Sequence, residues 1–230
     1  LIRLCYDSLL KTIKLRLMPD KIHDSHQPWL VNGMSDMLLS GFLTRQEHHS
    51  LRVLSGTTFR SFGAPYASSR KEPDQCVTPA GIDLPTLVIE SGWSESRPLL
   101  HQDRDLWLRG GAGSVQVVLV MKWTKGASNR VRGDIEVFDL DPLGNVRSLQ
   151  REVRAVNIYI YIKLTIFDCL LIIFPAPIAA TQRIAVTRRQ LFGPALPQGQ
   201  NPSATTHLEL NALRQIANEY LAAEGYQPAT

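Results

Sequence analysis

Apolar positions recur at helical spacing across residues 28–50, where Leu30, Met34, Met37, Leu38 and Phe42 form one stripe. Such a stripe predicts core packing. Residues 56–69, rich in Gly, Ser, Thr and Ala, read as loop or short edge strand. An extended stretch begins at Pro73-Asp74 and runs through Val77. Pro85 then opens Thr86-Leu87-Val88-Ile89-Glu90, a nearly unbroken apolar run of strand length. That pattern suits a strand buried on both faces. Residues 91–95 read as a turn. Ser96 is placed to N-cap a helix with Pro98 in its first turn. The helix carries Leu99, Leu100, Leu106 and Trp107 on one face and ends at Gly110-Gly111. Apolar runs at 115–123 and 135–140 read as further strands, and Asp141-Pro142-Leu143-Gly144-Asn145 as a turn. The order strand, helix, strand, strand predicts an α/β (α+β) fold with a mixed central sheet flanked by helices.

Three other stretches frame this centre. Residues 1–17 mix Leu and Ile with Arg3, Lys11, Lys14 and Arg16, as in an amphipathic helix or a transit-like leader. Met18-Pro19 is an alternative natural start, which would make the preceding stretch an artefact. Residues 18–150 then hold the N-terminal helix and the core. Within 151–180, Asn157-Ile158-Tyr159-Ile160-Tyr161-Ile162 and Leu170-Leu171-Ile172-Ile173-Phe174 are long enough together to span a bilayer. Lys163 and Asp168 oppose that, each costing roughly 2.5–3.5 kcal/mol near the centre of a membrane helix. Ile, Asn, Tyr, Lys and Phe share A/T-rich codons, whereas the flanks are rich in Ala, Pro, Gly and Arg. An insertion such as a translated intron, a pair of buried strands and a membrane helix are the three readings. Residues 181–230 hold a strand, a Pro/Gln/Gly linker at 194–203 and an amphipathic helix. Thr206-x-x-Glu209 reads as a capping box for that helix, with Leu210, Leu213, Ile216, Ala217, Tyr220 and Leu221 as its stripe and Gly225 as its stop.

With 44% hydrophobic residues, the chain has enough for a core and too many for disorder. Its net charge of +4 permits nucleic acid as a partner without demanding it, because like charges form no block. The three cysteines, Cys5, Cys76 and Cys169, are odd in number and widely spaced. They suggest neither a disulfide framework nor a cysteine zinc site, and point to a reducing, intracellular compartment, cytoplasmic or nuclear.

Asp74 and Glu90 are the candidate chemistry. A carboxylate ending a greasy strand needs a partner, because unpaired buried charge is costly. Two such acids on adjacent strands can share magnesium, or manganese, which takes oxygen ligands and activates water for attack on a phosphodiester. The alternative is that each acid bonds a nearby backbone N–H or an arginine.

Tyr66-x-x-Ser69-x-Lys71-Glu72-Pro73-Asp74, then Leu87-Val88-Ile89-Glu90, then Ser94, Asp103 and Trp107, then an apolar strand, resembles the PD-(D/E)XK nuclease superfamily. More narrowly it is similar to its Uma2-like, restriction-endonuclease-like domains and to a group of fungal proteins with that core. The likeness covers about residues 66–140, and resumes at Phe174-Pro175-Ala176-Pro177 and at 184–192. It implies a mixed four-stranded sheet flanked by helices, with Asp74 and Glu90 binding magnesium and a lysine two residues after the second acid orienting water. DNA is the implied partner, with no small-molecule cofactor and no membrane. That lysine position is Gly92, a departure from the pattern. Lys122 on the following strand, or His101 or Arg104 on the intervening helix, are candidates to replace it, and Asp103 faces the sheet, where it could orient a basic group or bond a loop. The expected function is thus a magnesium-dependent, nuclease-like domain acting on DNA. The alternatives are a non-catalytic nucleic-acid or protein binding module of the same fold, and a serine hydrolase.

The hydrolase alternative rests on Gly92-Trp93-Ser94-Glu95-Ser96, which mimics a nucleophile elbow with its last glycine replaced. Ser94 would pair with His207 and with Asp141 or Asp139. Gly110-Gly111-Ala112-Gly113 follows a helix and precedes a strand, so it reads as a turn and not as a phosphate loop. His23-x-x-His26 and His48-His49 have ligand-like spacing without acidic or cysteine partners, and read as surface histidines.

Overall fold

The computed structural model describes residues 3–16, 21–149, 171–177 and 182–230. Strands β1 (Arg3–Asp7) and β2 (Thr12–Arg16) form an antiparallel hairpin, where the charged apolar pattern suggested a helix. Leu4, Ile13 and Leu15 line its exposed face while Cys5 turns inward, which is the period-two alternation of a strand. The reading of 28–50 as helical resolves into α1 (His26–Leu39) and α2 (Arg45–Ser50). Thr44 caps α2 with a reciprocal Thr44–Glu47 capping box.

Six strands follow one another across the main sheet. β3 (Leu51–Leu54), β4 (Gln75–Pro79) and β5 (Leu87–Gly92) run antiparallel in turn. Helix α3 (Arg97–Gly110) crosses over, so β6 (Val117–Lys125) lies parallel to β5. β7 (Arg130–Leu140) returns antiparallel to β6. β8 (Val146–Ser148) and β9 (Leu171–Phe174) both pair with β7. Of the odd apolar stretch, residues 150–170 and 178–181 lie outside the described residues, and the described part, 171–174, is strand.

β10 (Arg183–Thr187), α4 (Arg188–Phe192), β11 (Thr205–Glu209), α5 (Leu210–Ala223) and β12 (Gln227–Pro228) complete the chain. β10 and β11 form a second hairpin, and β12 joins the main sheet beside β7. The expected capping box at Thr206 is corrected. Thr206 pairs with Val186 in β11, and α5 begins only at Leu210 with no side-chain cap. The box instead occurs at Thr187 and Gln190, opening α4.

Every residue of β5 is buried, as a strand covered on both faces requires. Leu87 and Ile89 face the core built with Trp29, Met34, Leu213 and Leu221 of α1 and α5. Val88 faces the core under α3, with Cys76, Val118, Val120 and Trp107. Leu99, expected on the buried face of α3, is exposed. Among the described residues no helix is long and apolar enough to cross a membrane, and Cys5 and Cys76 are free thiols.

Arg188 spans from α4 to α2, bonding Glu47 and the carbonyl of Phe42. Burial pushes the Glu47 carboxyl up, but bonds from Arg188 and Thr44 outweigh it and hold it below its ordinary 4.5. Its stabilising effect is therefore complete above that value and lost as pH falls through the lower folded-state one. Arg188→Ala is expected to cost about 3 kcal/mol at neutral pH, since it strands a buried carboxylate. Urea unfolding at pH 7 and pH 3 tests this: the gap between variant and parent narrows in acid.

Candidate functional site

Asp74 stands immediately before β4, and Glu90 lies inside β5. Gln75, the residue after Asp74, pairs with Ile89, the residue before Glu90. Both acids are fully buried. Asp74 meets a backbone N–H and a histidine, and Glu90 an indole N–H and a lysine. Asp74 Oδ2 accepts the Ser91 N–H at 2.7 Å and lies 3.6 Å from His23 Nε2. Glu90 Oε1 accepts the indole N–H of Trp107 at 2.6 Å.

A buried amine, Lys71 Nζ, sits 3.2 Å from Glu90 Oε1 and 2.7 Å from Asp103 Oδ2. Lys71 is held by an isolated bridge to Phe59, just upstream of β4. Asp103 also accepts from Lys14 Nζ of the β1–β2 hairpin at 2.8 Å. The result is a chain of alternating charges, Lys14–Asp103–Lys71–Glu90, beneath α3. The sequence offered Lys71 only as part of a motif. Nothing local signalled its role, because the contact spans a loop and a strand turn.

The substitutes considered for the lysine absent at Gly92 lie elsewhere on the same face. Lys122 is in direct register with Gly92 on β6. Its amine donates to the carbonyls of Trp93 and Trp123, both at 2.7 Å. Burial and the nearby Arg97 favour its neutral form. His101 Nε2 bonds Glu136 at 2.9 Å, and Arg104 stacks on the Phe138 ring. Arg97 forks across Asp134 and Glu136. The sheet register explains this second cluster: Glu90, Val120 and Glu136 lie level, as do Gly92, Lys122 and Asp134. Burial raises the Asp134 carboxyl despite Arg97. Burial also opposes the charge on Glu136, but His101 and Arg97 overcome it and hold that carboxyl low.

Gly92 has a packing reason. A Cβ there would stand 2.8 Å from Leu100 Cδ1, in the core under α3. Gly92→Lys is expected to destabilise by about 1–3 kcal/mol through overpacking. A thermal or urea melt of that variant checks it; unchanged stability contradicts the packing account.

His23 and His26 are buried, correcting their reading as surface residues. The turn His23–Ser25 leads into α1 and packs the pair against Ser91 and Asp74. Ser91 Oγ donates to the His23 carbonyl at 3.0 Å, and His26 Nδ1 meets the same carbonyl at 2.7 Å. Burial lowers the affinity of His26 for a second proton, with Asp74 acting in the opposite sense. His48 is half-buried and His49 exposed.

Cys76 lies under the same face as Glu90, and burial pushes its thiol up to about 12, so it is no nucleophile at neutral pH. Ser94 is exposed. Asp139 is paired with Arg147, and Asp141 accepts the amides of Leu143 and Asn145. No hydrogen bond joins Ser94, His207 and either acid among the described residues.

The donor set suits a cation in part. Asp74 and Glu90 supply anionic oxygens of the kind magnesium takes. Buried His26 Nε2 and Gln75 Oε1, in the same knot of contacts as Asp74, have no hydrogen-bond partner among the described residues. Among those residues, no group of three or more His, Cys, Asp or Glu side chains is gathered to hold a metal. No protein-family model, curated protein or solved structure matches this chain.

Proposed function

We propose that this chain is a nuclease-like domain that holds magnesium or manganese through Asp74 and Glu90 and acts on DNA phosphodiesters. The observation that carries the reading is the buried lysine 3.2 Å from Glu90, on a strand paired with the one that Asp74 immediately precedes. Lys71 takes the part of the amine that Gly92 lacks. The order β3–β4–β5–α3–β6 agrees with it, being three antiparallel strands and a helical crossover to a parallel fourth. The PD-(D/E)XK pattern implies a mixed four-stranded sheet, whereas this sheet has eight strands.

A bound cation supplies a polarised phosphoryl oxygen and an activated water. The chain's own residues do the rest. Trp107 fixes the Glu90 carboxylate by its indole N–H. Asp103 holds Lys71 by a 2.7 Å contact and keeps its ammonium at Glu90. That positive charge stands ready for charge developing on a phosphate oxygen.

One observation favours a second reading, a non-cutting module of the same fold. Side-chain exposure falls from 18% at Lys14 to 5% at Asp103, 1% at Lys71 and 0% at Glu90. Glu90 and Lys71 are thus closed off from solvent, and a phosphate reaches them only if the structure around them moves. Incubating the protein with plasmid DNA and manganese, beside Asp74→Asn and Glu90→Gln, separates the two. Nicking lost in both variants supports the nuclease. DNA binding without metal and without nicking gives the second reading.

A further inference from the structure

We propose that the Asp74 end of the site is a mixed nitrogen–oxygen site for a first-row transition-metal dication, with His26 Nε2, Gln75 Oε1 and Asp74 as its protein ligands. It rests on the assignment of Asp74 to cation binding made above.

A carbonyl oxygen only accepts. The 2.7 Å contact from His26 Nδ1 to the His23 carbonyl therefore puts the proton on Nδ1. Nε2 of the neutral ring then carries a lone pair, fully buried and without a partner among the described residues. Gln75 Nε2 donates to the Gln27 carbonyl at 3.2 Å, which orients that amide in the same way. Its Oε1 is left as a second buried acceptor without a partner, and the Ser25 hydroxyl, both donor and acceptor, is a third buried polar group without one. The residues that carry these atoms meet in one region, where Gln75 bonds the carbonyl of Gln27, the residue after His26. His23, Ser91 and Asp74 tie the start of α1 to the start of β4 and the end of β5. Buried polar atoms in native proteins are nearly always paired, so three together point to an occupant.

The occupant must satisfy acceptors. His26 Nε2 and Gln75 Oε1 both offer electron pairs, and Asp74 adds a negative charge. A dication meets all three at once. Imidazole nitrogen favours manganese, cobalt and zinc over magnesium, in the usual order of affinities. A ring whose other N–H is fixed on a backbone carbonyl is also the arrangement metal-binding histidines show. The set needs only two side chains from among His, Cys, Asp and Glu; an amide oxygen and waters complete the coordination.

Calorimetric titration of the full chain with cobalt, zinc and magnesium tests this, on the parent, His26→Gln, Asp74→Asn and Glu90→Gln. Cobalt is expected to bind at least about tenfold more tightly than magnesium. His26→Gln is expected to lose about tenfold or more of the cobalt affinity and to leave magnesium unchanged. Equal cobalt and magnesium affinities, both indifferent to His26→Gln but lost in Asp74→Asn and Glu90→Gln, overturn the nitrogen site and keep the two-acid site. Cobalt binding indifferent to both His26→Gln and Asp74→Asn is an adventitious ion only, and overturns the proposal. No binding of any metal by the folded parent overturns this inference and the reading beneath it together. Should His26→Gln not fold, pulsed EPR of manganese on the parent decides. Coupling to an imidazole nitrogen is expected, and an all-oxygen signature overturns the proposal.

Discussion

Replacing Lys71 by methionine lowers the free energy of unfolding by roughly 3–5 kcal/mol, the usual cost of removing one partner from a buried ion pair. Methionine keeps most of the stem's volume, so the loss is electrostatic. Glu90 and Asp103 remain buried, the first held by Trp107 and the second by Lys14, with no charge between them. The diagnostic variant is the double one. Lys71→Met with Glu90→Gln removes both an ammonium and a carboxylate, and recovers a large part of the loss in urea unfolding. Contacting residues are expected to be non-additive in this way. A single-variant cost under about 1 kcal/mol, typical of an exposed pair, contradicts a buried Lys71.

Trp107→Ala is the second large effect, at roughly 3–5 kcal/mol. The ring is fully buried and packs edge-on against Phe59 at 5.8 Å and tilted against Phe62 at 5.3 Å. Trp107→Phe divides the cost. It keeps an aromatic ring in that core and deletes only the N–H on Glu90, for which about 1.5–3 kcal/mol is expected, as for hydrogen bonds to charged groups. Equal costs for Ala and Phe in chemical denaturation contradict a packing role for the ring.

The pattern of the sequence carried the centre of the fold well. Thr86–Glu90 reads as a doubly covered strand, and β5 is buried throughout. Ser96 and Gly111 bracket α3 as read. It misled at the edges. Thr206-x-x-Glu209 has the spacing of a capping box, but pairing with β10 holds those residues extended. Residues 3–16 have helical composition, yet their inward and outward alternation suits a hairpin.

The candidate site was half legible. Asp74 and Glu90 stood out because acids at the ends of greasy strands are unusual. Lys71 did not, since a lysine in a loop normally faces water and only the fold brings it to Glu90. His23 and His26 were hidden for a similar reason: the acid beside them, Asp74, is distant in sequence. Lys122 was a candidate because it lies on the strand after Glu90, and β6 places it in register with Gly92. Its amine is nevertheless spent on two backbone carbonyls.

Calorimetric titration of the folded chain with magnesium and manganese tests the central claim most directly, with Asp74→Asn and Glu90→Gln beside it. The account predicts binding by the parent that is lost in both variants while each stays folded by circular dichroism. Absence of binding by the folded parent contradicts it, and makes both carboxylates structural partners of Ser91, His23, Trp107 and Lys71.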